Sequence, residues 1–258
     1  MKRELTREQG FQERLYEYPY HYIPVWDGRS FSQCKTLYWG YEYLSYLHFV
    51  LERLMDIRFE SLLDVGCGDG RLLFELNQRV PRKRLVGIDI SERSIGLASL
   101  MAPDVEWVCG DITDPQVLPE GFDIVTLVET LEHIHPDAIR SFVMSLASHT
   151  KDGGILLLTV PSKNVPLNKK HFQHFDIETL SDLITPYFSV ENFYYLNKKS
   201  IFIQEIYVRM LQNRLFVLNE KHLLNFLFSL YRRFFLLARK ENCRRIAAVC
   251  RKAHTSNL

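Results

Sequence analysis

The stretch Ser61-Leu-Leu-Asp-Val-Gly-Cys-Gly-Asp-Gly70 decides the fold of this 258-residue chain. An apolar run ends at Asp64, glycines follow at positions 66, 68 and 70, and residues 71–77 have the apolar spacing that opens a helix. Glycine lets a turn bring its backbone against a ligand, and the helix N-terminus that follows favours negative charge. A strand, a glycine turn and a helix in this order predict a nucleotide-binding unit of an α/β fold.

Further apolar runs follow at the spacing of an α/β sheet. Residues 84–90 predict a second strand ending at Asp89, about twenty residues past the glycine turn, where a carboxylate can accept both hydroxyls of a ribose. Residues 106–112 predict a third strand that ends in Gly-Asp-Ile, and residues 121–129 and 153–161 predict a fourth and a fifth. The alternative is an α/β fold in which these acids only cap helices.

The ordered series, above all Asp-Val-Gly-x-Gly-x-Gly, resembles the class I S-adenosylmethionine (SAM) methyltransferases over roughly residues 58–195. The dinucleotide fingerprint would instead place its third glycine at position 71, which is Arg71. The resemblance implies an α/β, Rossmann-like seven-stranded sheet whose last strand, about residues 244–251, enters antiparallel between strands five and six. It implies SAM as the cofactor, held by Asp64, Gly66, Gly68, Gly70, Asp89, Ile90, Asp111, Ile112 and Glu129.

Composition narrows the class of protein. A hydrophobic content of 47% is enough for one substantial core, and a net charge of +1 provides no general field that would recruit nucleic acid. The five cysteines are odd in number and lack Cys-x-x-Cys spacing, which favours a reducing compartment. No apolar run has the length of a membrane span, and the first residues lack the apolar core of a signal peptide. We therefore expect a cytoplasmic protein.

An N-terminal addition, residues 1–57, is crowded with aromatic side chains. Residues 35–56 predict a helix with an apolar stripe. In the family that the chain resembles, such an addition covers the cofactor and forms part of the acceptor pocket. For Tyr20, His21 and Tyr22 a place in that pocket and a purely structural role are both open.

The methyltransferase-like part, residues 58–258, carries a helical insertion at about 197–241, where a short turn would ordinarily join the last two strands. Helices are predicted at 201–211 and 222–239, and the second is apolar on more than one face. A lid over the acceptor, a homodimer face, a helix on a membrane surface and a plain structural helix are the alternatives. Contact with the N-terminal segment or a second copy is the expectation, ahead of lipid.

The chemistry is predicted after strands four and five, since ligands bind outside the carboxyl ends of parallel strands. Glu129-Thr-Leu-Glu-His133 follows strand four, and a loop with His171 and His174 follows strand five. A hydroxyl acceptor needs a general base or a metal that lowers its pKa. The predicted catalytic residues are Glu132, His133 and His174.

Glu-x-x-Glu-His with a later histidine resembles two branches of the family: small-RNA 3′-terminal 2′-O-methyltransferases and ubiquinone-pathway O-methyltransferases. That resemblance implies a divalent metal (magnesium, manganese, iron or zinc) on Glu129, Glu132, His133 and His174, with His171 as a substitute for the last. The metal-free alternative has His133 as the base, or an acid that orients the SAM amino group. A purely structural role, in which a histidine at the strand end only bonds backbone, is also open. The RNA branch has Phe-Glu-Trp where this chain has Phe175-Asp-Ile.

The sequence thus predicts a SAM-dependent O-methyltransferase that acts on a hydroxyl of a small molecule or a glycan. The loop 160–171, Val-Pro-Ser-x-Asn-x-Pro-Leu-Asn-Lys-Lys-His, resembles bacterial methyltransferases of polysaccharide and secondary metabolism. The alternatives are the RNA-end 2′-O-methyltransferase and a non-catalytic SAM-binding partner subunit. A nucleic-acid partner is not expected, because the chain shows no basic groove. A homodimer or membrane-surface contact through residues 222–239 is the further partner prediction.

Overall fold

The computed structural model describes residues 24–26, 31–33, 37–118, 121–211, 218 and 220–253, so the predictions for Tyr20, His21 and Tyr22 lie outside the described residues. The strands are β1 (Pro24–Trp26), β2 (Phe31–Gln33), β3 (Ser61–Val65), β4 (Arg84–Asp89), β5 (Glu106–Cys109), β6 (Phe122–Val128), β7 (Thr150–Pro161), β8 (Phe188–Lys198) and β9 (Cys243–Lys252). The helices are α1 (Leu37–Met55), α2 (Arg71–Asn77), α3 (Glu92–Met101), α4 (Ile139–His149), α5 (Ile177–Ile184), α6 (Ile201–Leu211) and α7 (Lys221–Phe235).

The main sheet has seven strands in the order β5-β4-β3-β6-β7-β9-β8. Strands β3 to β7 pair in parallel, and β9 lies antiparallel between β7 and β8. The predicted Rossmann-like sheet, including its inserted last strand, is confirmed. From β3 the chain adds β4 and β5 on one side and then β6 and β7 on the other. The strand order therefore reverses between β3 and β6, and ligands bind in the crevice at such a switch point.

The glycine turn after β3 follows from backbone conformation. Gly66, Gly68 and Gly70 have φ values of +68°, +55° and +78°, a region that residues with a side chain avoid. Space matters as well: a Cβ on Gly70 would lie 2.5 Å from the Trp107 ring. Gly70 therefore serves both the turn and the close packing of the start of α2 against Trp107 of β5.

The third predicted strand is shorter than expected, since β5 ends at Cys109 rather than at residue 112. The Gly110 amide donates to the Asp89 carbonyl, and the Asp111 carboxylate then accepts from the Thr113 amide and hydroxyl, which turns the chain away from the ladder. Asp111 and Ile112 consequently lie in a loop at the sheet edge.

Both faces of the sheet are covered by apolar helix faces. On one face α4 and α5 bury Phe142, Val143, Leu146 and Leu180 against β6 and β7. On the other, α1 and α2 bury Leu47, Leu54, Leu73 and Leu76. The predicted helix of the N-terminal addition therefore packs on the sheet through its apolar stripe.

The insertion forms two helices, as predicted, but the second ends at Phe235 rather than at residue 239. Its chain then pairs with the end of β8: the Asn197 amide donates to the Leu236 carbonyl and the Ala238 amide to the Tyr195 carbonyl. The two helices pack against α1 in a separate cluster that includes Tyr41, Tyr207, Leu227, Tyr231 and Phe235. Within the described residues, none of the helices combines the length and apolar character needed to cross a bilayer.

Candidate active site

A cavity of about 520 Å³ opens at the carboxyl ends of β3, β4, β5 and β6. Predicted site residues in its walls are Gly66, Asp89, Ile90, Asp111, Ile112, Glu129 and His133. The other predicted residues, Asp64, Gly68, Gly70, Glu132 and His174, are not among the residues that line it. This cavity thus lies at the sheet edge that was chosen from the sequence.

Asp89 connects the cavity to the glycine turn. Its Oδ2 accepts from the Gly68 amide and its Oδ1 from the Ser91 amide, each at 2.9 Å. An ionised carboxylate has about four acceptor positions, so two remain for a ligand hydroxyl pair in the cavity. Asp89 can therefore hold the turn and accept a ribose at the same time.

Apolar side chains form a second part of the wall. Ile90 is 78% exposed and Ile112 is buried, and both line the cavity. A large exposed aliphatic side chain at the mouth of a cavity offers contact area to a flat ring. This arrangement suits a purine placed between the ends of β4 and β5.

Asp64 lies beneath the turn and not at the cavity. It is fully buried, and burial raises the pKa of its carboxyl to about 7, while the Thr126 hydroxyl donates to it at 2.7 Å. The structure thus places this carboxyl in the packing of β3 against β6, at the base of the glycine turn.

Glu129 is held by a partner that the sequence analysis did not select. Its Oε2 accepts from Arg245 Nε at 2.9 Å, and its Oε1 accepts from the Thr159 hydroxyl at 3.0 Å. The Arg245 guanidinium also donates to Glu42 on α1 and lies 4.3 Å from the Tyr46 ring centre. Glu129 itself has a positive φ of 52°. Consecutive arginines in the apolar run 244–250 were the available signal, because strand alternation sends one of them inward.

Glu132 is a buried carboxyl with an unused oxygen. It is 1% exposed, and its Oε2 has no hydrogen-bond partner among the described residues. Burial, with the nearby charge of Glu129 as a second cause, raises its pKa to about 9. Burying an unpaired carboxylate raises the free energy of the folded state. A proton or a cation on this oxygen would remove that penalty.

The hydrogen bonds of the three histidines fix their tautomers. His133 Nδ1 lies 3.0 Å from the Lys170 carbonyl and must donate to it, which leaves the lone pair on Nε2. His174 Nδ1 donates in the same way to the Val165 carbonyl, so its Nε2 accepts from His171 Nδ1 at 2.9 Å. His171 therefore also has its lone pair on Nε2. Burial, with His133 and His174 as further causes, lowers the pKa of His171 to about 4 and keeps it neutral.

Glu132, His133 and His171 bring one ligand atom each to within 4.8 Å of one another. This trio differs from the predicted set of Glu129, Glu132, His133 and His174. The Glu129 carboxylate is taken up by Arg245 and Thr159, and His174 orients His171. A buried carboxylate oxygen without a partner and two imidazole lone pairs form a donor set that fits a divalent cation.

Several cavity residues were not selected from the sequence. Thr130 follows Glu129, donates to the Val128 carbonyl, and has its methyl group where a Cβ of Gly66 would lie. Phe172 is 54% exposed, stacks edge-on against His135, and donates its amide to the Glu132 carbonyl. This bond joins the loop after β7 to the segment after β6. The sequence contains no local signal for such a long-range contact.

Comparison with known proteins agrees with this architecture. Residues 62–154 match the family model described as a methyltransferase domain. The ubiquinone biosynthesis O-methyltransferase of Neisseria meningitidis serogroup C is 35% identical over 115 residues, which cover 42% of this chain and 47% of the relative. Its mitochondrial counterpart in Schizosaccharomyces pombe is 26% identical over 175 residues, 61% of each chain. The chain spans about half the length of the bacterial relatives it matches.

Solved structures share the fold at low identity. The N-methyltransferase NodS of Bradyrhizobium japonicum, solved with S-adenosylhomocysteine, has a TM-score of 0.56 and 18% identity over 80% of this chain and 86% of its own. A SAM-dependent methyltransferase of Archaeoglobus fulgidus has a TM-score of 0.55 and 16% identity over 84% of this chain and 100% of its own. The predicted class I methyltransferase fold is therefore confirmed.

Proposed function

We propose that the protein is a SAM-dependent O-methyltransferase that acts on a hydroxyl group of a small molecule. The observation that carries the proposal is one cavity with Asp89 and the glycine turn on one wall and His133 on another. The match to a methyltransferase domain and the names of the curated relatives support it.

In this proposal Asp89 binds the ribose, and Ile90 and Ile112 contact the adenine beside Asp111. Glu129, fixed by Arg245, faces the methionine part of SAM, whose ammonium group a carboxylate can bind. When no metal is bound, His133 accepts the acceptor's hydroxyl proton on Nε2, and the oxygen then takes the methyl group from the sulfonium, leaving S-adenosylhomocysteine. Methyl transfer asks little more of the protein than this alignment and proton removal.

We also propose that Glu132, His133 and His171 hold a divalent cation. Bound there, such a cation would lower the pKa of an acceptor hydroxyl. The unpaired Oε2 of Glu132 supports this assignment, because a cation supplies the charge that the buried carboxyl lacks. Without a metal, His133 alone remains the base. His174 acts in both cases as the residue that orients His171.

The relatives' names favour a small-molecule acceptor and lend no support to a glycan. The Glu-x-x-Glu-His pattern is the only feature that supports the RNA-end activity as an alternative. The insertion is the only feature that supports a non-catalytic SAM-binding subunit. A cytoplasmic location stays a prediction, and so does a homodimer or membrane contact through residues 222–239. The charge on α7 is relevant to the membrane contact.

The test is methyl transfer from labelled SAM to catechols, phenols, sugars and short RNA, each with and without a chelator. Label in a catechol or phenol, lost in His133→Ala and retained in the exposed-surface variant His222→Ala, is the expected result. Label in RNA or sugars alone, or in none of the acceptors, would contradict the proposed acceptor class.

A further inference from the structure

Helix α7 exposes an apolar stripe that is separate from its buried face. The buried face consists of Leu227, Tyr231 and Phe235, which pack against α1 and α6. The exposed stripe, defined here as Leu223, Phe226 and Phe234 on one side of α7 and Leu237 just past its end, has the helical spacing within α7. Phe226 is 59% exposed, Phe234 is 55% and Leu237 is 63%. More than half of each of these large apolar side chains is therefore left in contact with solvent.

The same helix has a one-sided charge. Residues 221–240 contain five of the chain's 32 lysines and arginines and none of its 31 aspartates and glutamates. Arg232 pairs with Glu52, and Lys240 pairs with Glu178. For Lys221, Arg233 and Arg239 no carboxylate partner occurs in the part of the chain that the structure describes. A chain that is nearly neutral overall thus concentrates unpaired positive charge beside its exposed apolar stripe.

Cations and aromatic side chains meet directly on this surface. The Arg233 guanidinium lies 5.5 Å from the centre of the Phe234 ring, and Phe234 belongs to the stripe. A helix with Phe and Leu on one side and Lys and Arg beside them is the pattern that lies in the interface of a bilayer. Basic side chains at that depth meet the phosphates of anionic lipids while the apolar ones reach the acyl boundary.

We propose that α7 binds an anionic membrane surface through this stripe. Charge complementarity decides between lipid and a second copy of the chain. An isologous dimer through the stripe would face two sets of unpaired cations with no acid from residues 221–240 to match them. An anionic bilayer offers the opposite sign, and its plane accommodates a convex helix without a complementary groove. The proposal is independent of methyl transfer, because no described residue of α7 lines the active-site cavity.

The test is co-sedimentation of the full chain with vesicles of equal parts phosphatidylglycerol and phosphatidylcholine, compared with phosphatidylcholine alone. Wild type should partition onto the mixed vesicles, and binding should weaken as salt is raised because screening shortens the reach of the cations. Lys221→Gln/Arg233→Gln should weaken partitioning about tenfold or more, given the gain expected from each surface cation. Phe226→Ser/Phe234→Ser should weaken it by at least as much.

Matched controls distinguish binding through the stripe from nonspecific adsorption of the protein to vesicles. Arg82→Gln/Arg93→Gln makes the same charge change at exposed positions elsewhere, and Leu100→Ser/Met144→Ser removes two apolar groups that are 83% and 52% exposed. Both should bind vesicles like wild type, and all four variants should keep the wild-type melting temperature. The proposal would be overturned if wild type did not bind, if it bound neutral vesicles equally well, or if the controls lost as much binding. It would also be overturned by a dimer in light scattering that Phe226→Ser/Phe234→Ser dissociates.

Discussion

Arg245 Nε lies 2.9 Å from Glu129 Oε2, so an arginine of the last strand fixes the carboxylate that enters the cavity from β6. The same guanidinium donates to Glu42, which is 6% exposed on α1, and to the Asn197 side chain. Asn197 in turn donates to Ser45 on α1 and to Tyr231 on α7. One buried polar network therefore ties the N-terminal helix and the insertion to the active-site edge.

Arg245→Met should be strongly destabilising. It leaves the partly buried carboxyl of Glu129 without its cation and leaves Glu42 only its pair with Arg244 at 3.1 Å. Removing one partner of a buried ion pair costs about 3–5 kcal/mol. Lys83→Met, which breaks the exposed pair with Glu60, is the matched control and should cost about 0–1 kcal/mol. Urea unfolding of both variants measures the difference. Equal losses would show that the Arg245 network contributes no more than a surface pair.

Gly70→Ala should destabilise the protein while Gly96→Ala stabilises it. A Cβ on Gly70 meets Trp107 at 2.5 Å and Ala98 at 2.8 Å and must adopt a φ of +78°, so a loss of about 1–3 kcal/mol is expected. Gly96 lies in α3, where an added Cβ would have no atom within 4 Å, and alanine there should gain about 0.5–1 kcal/mol. Chemical denaturation measures both. A neutral Gly70→Ala would mean that α2 can move off the sheet freely.

Asp64 should contribute a loss of stability as pH rises from about 4 to about 7. Burial raises its folded-state pKa from 3.8 to about 7, so in this window the unfolded chain has released a proton that the folded chain retains. Asp64→Asn cannot ionise, and its stability should depend less on pH across the window. Asp104→Asn, at an exposed position, should keep the wild-type slope. Unfolding curves at about pH 5 and about pH 8 decide it, and parallel slopes in wild type and Asp64→Asn would refute the assignment.

Metal binding should depend on Glu132 and His171. Equilibrium dialysis against manganese or zinc should give one ion per chain for wild type, and Glu132→Gln or His171→Ala should weaken binding about tenfold or more. His135→Ala, at an exposed histidine of the same cavity wall, should bind like wild type. Binding that survives Glu132→Gln unchanged, or no binding by wild type, would leave His133 as a base without a metal.

Much of the fold could be predicted because its signals are local. Asp64 and Asp89 each close an apolar run, and three glycines follow the first run at a fixed spacing. Parallel strands then bring their carboxyl ends to one edge, so Asp89, Asp111 and Glu129 could be placed at the cavity before any contact was known.

The remaining parts of the site depend on contacts between distant segments. In the proposed metal set, the preference for His171 over His174 rests on the Val165 carbonyl, which orients His174. The contact that fixes the Glu129 carboxylate comes from an arginine 116 residues further along. The end of α7 at Phe235 rests on pairing with β8. Such pairings leave no periodicity in the sequence, and only the fold reveals them.

The central claim is that the cavity binds SAM through Asp89, and calorimetric titration with S-adenosylhomocysteine tests it most directly. Wild type should bind one molecule per chain. Asp89→Ala should bind about tenfold more weakly or worse, because a charged acceptor of the ribose hydroxyls contributes roughly 1.5–3 kcal/mol. Asp104→Ala should match wild type. No binding by wild type, or an Asp89→Ala affinity equal to wild type, would contradict the account.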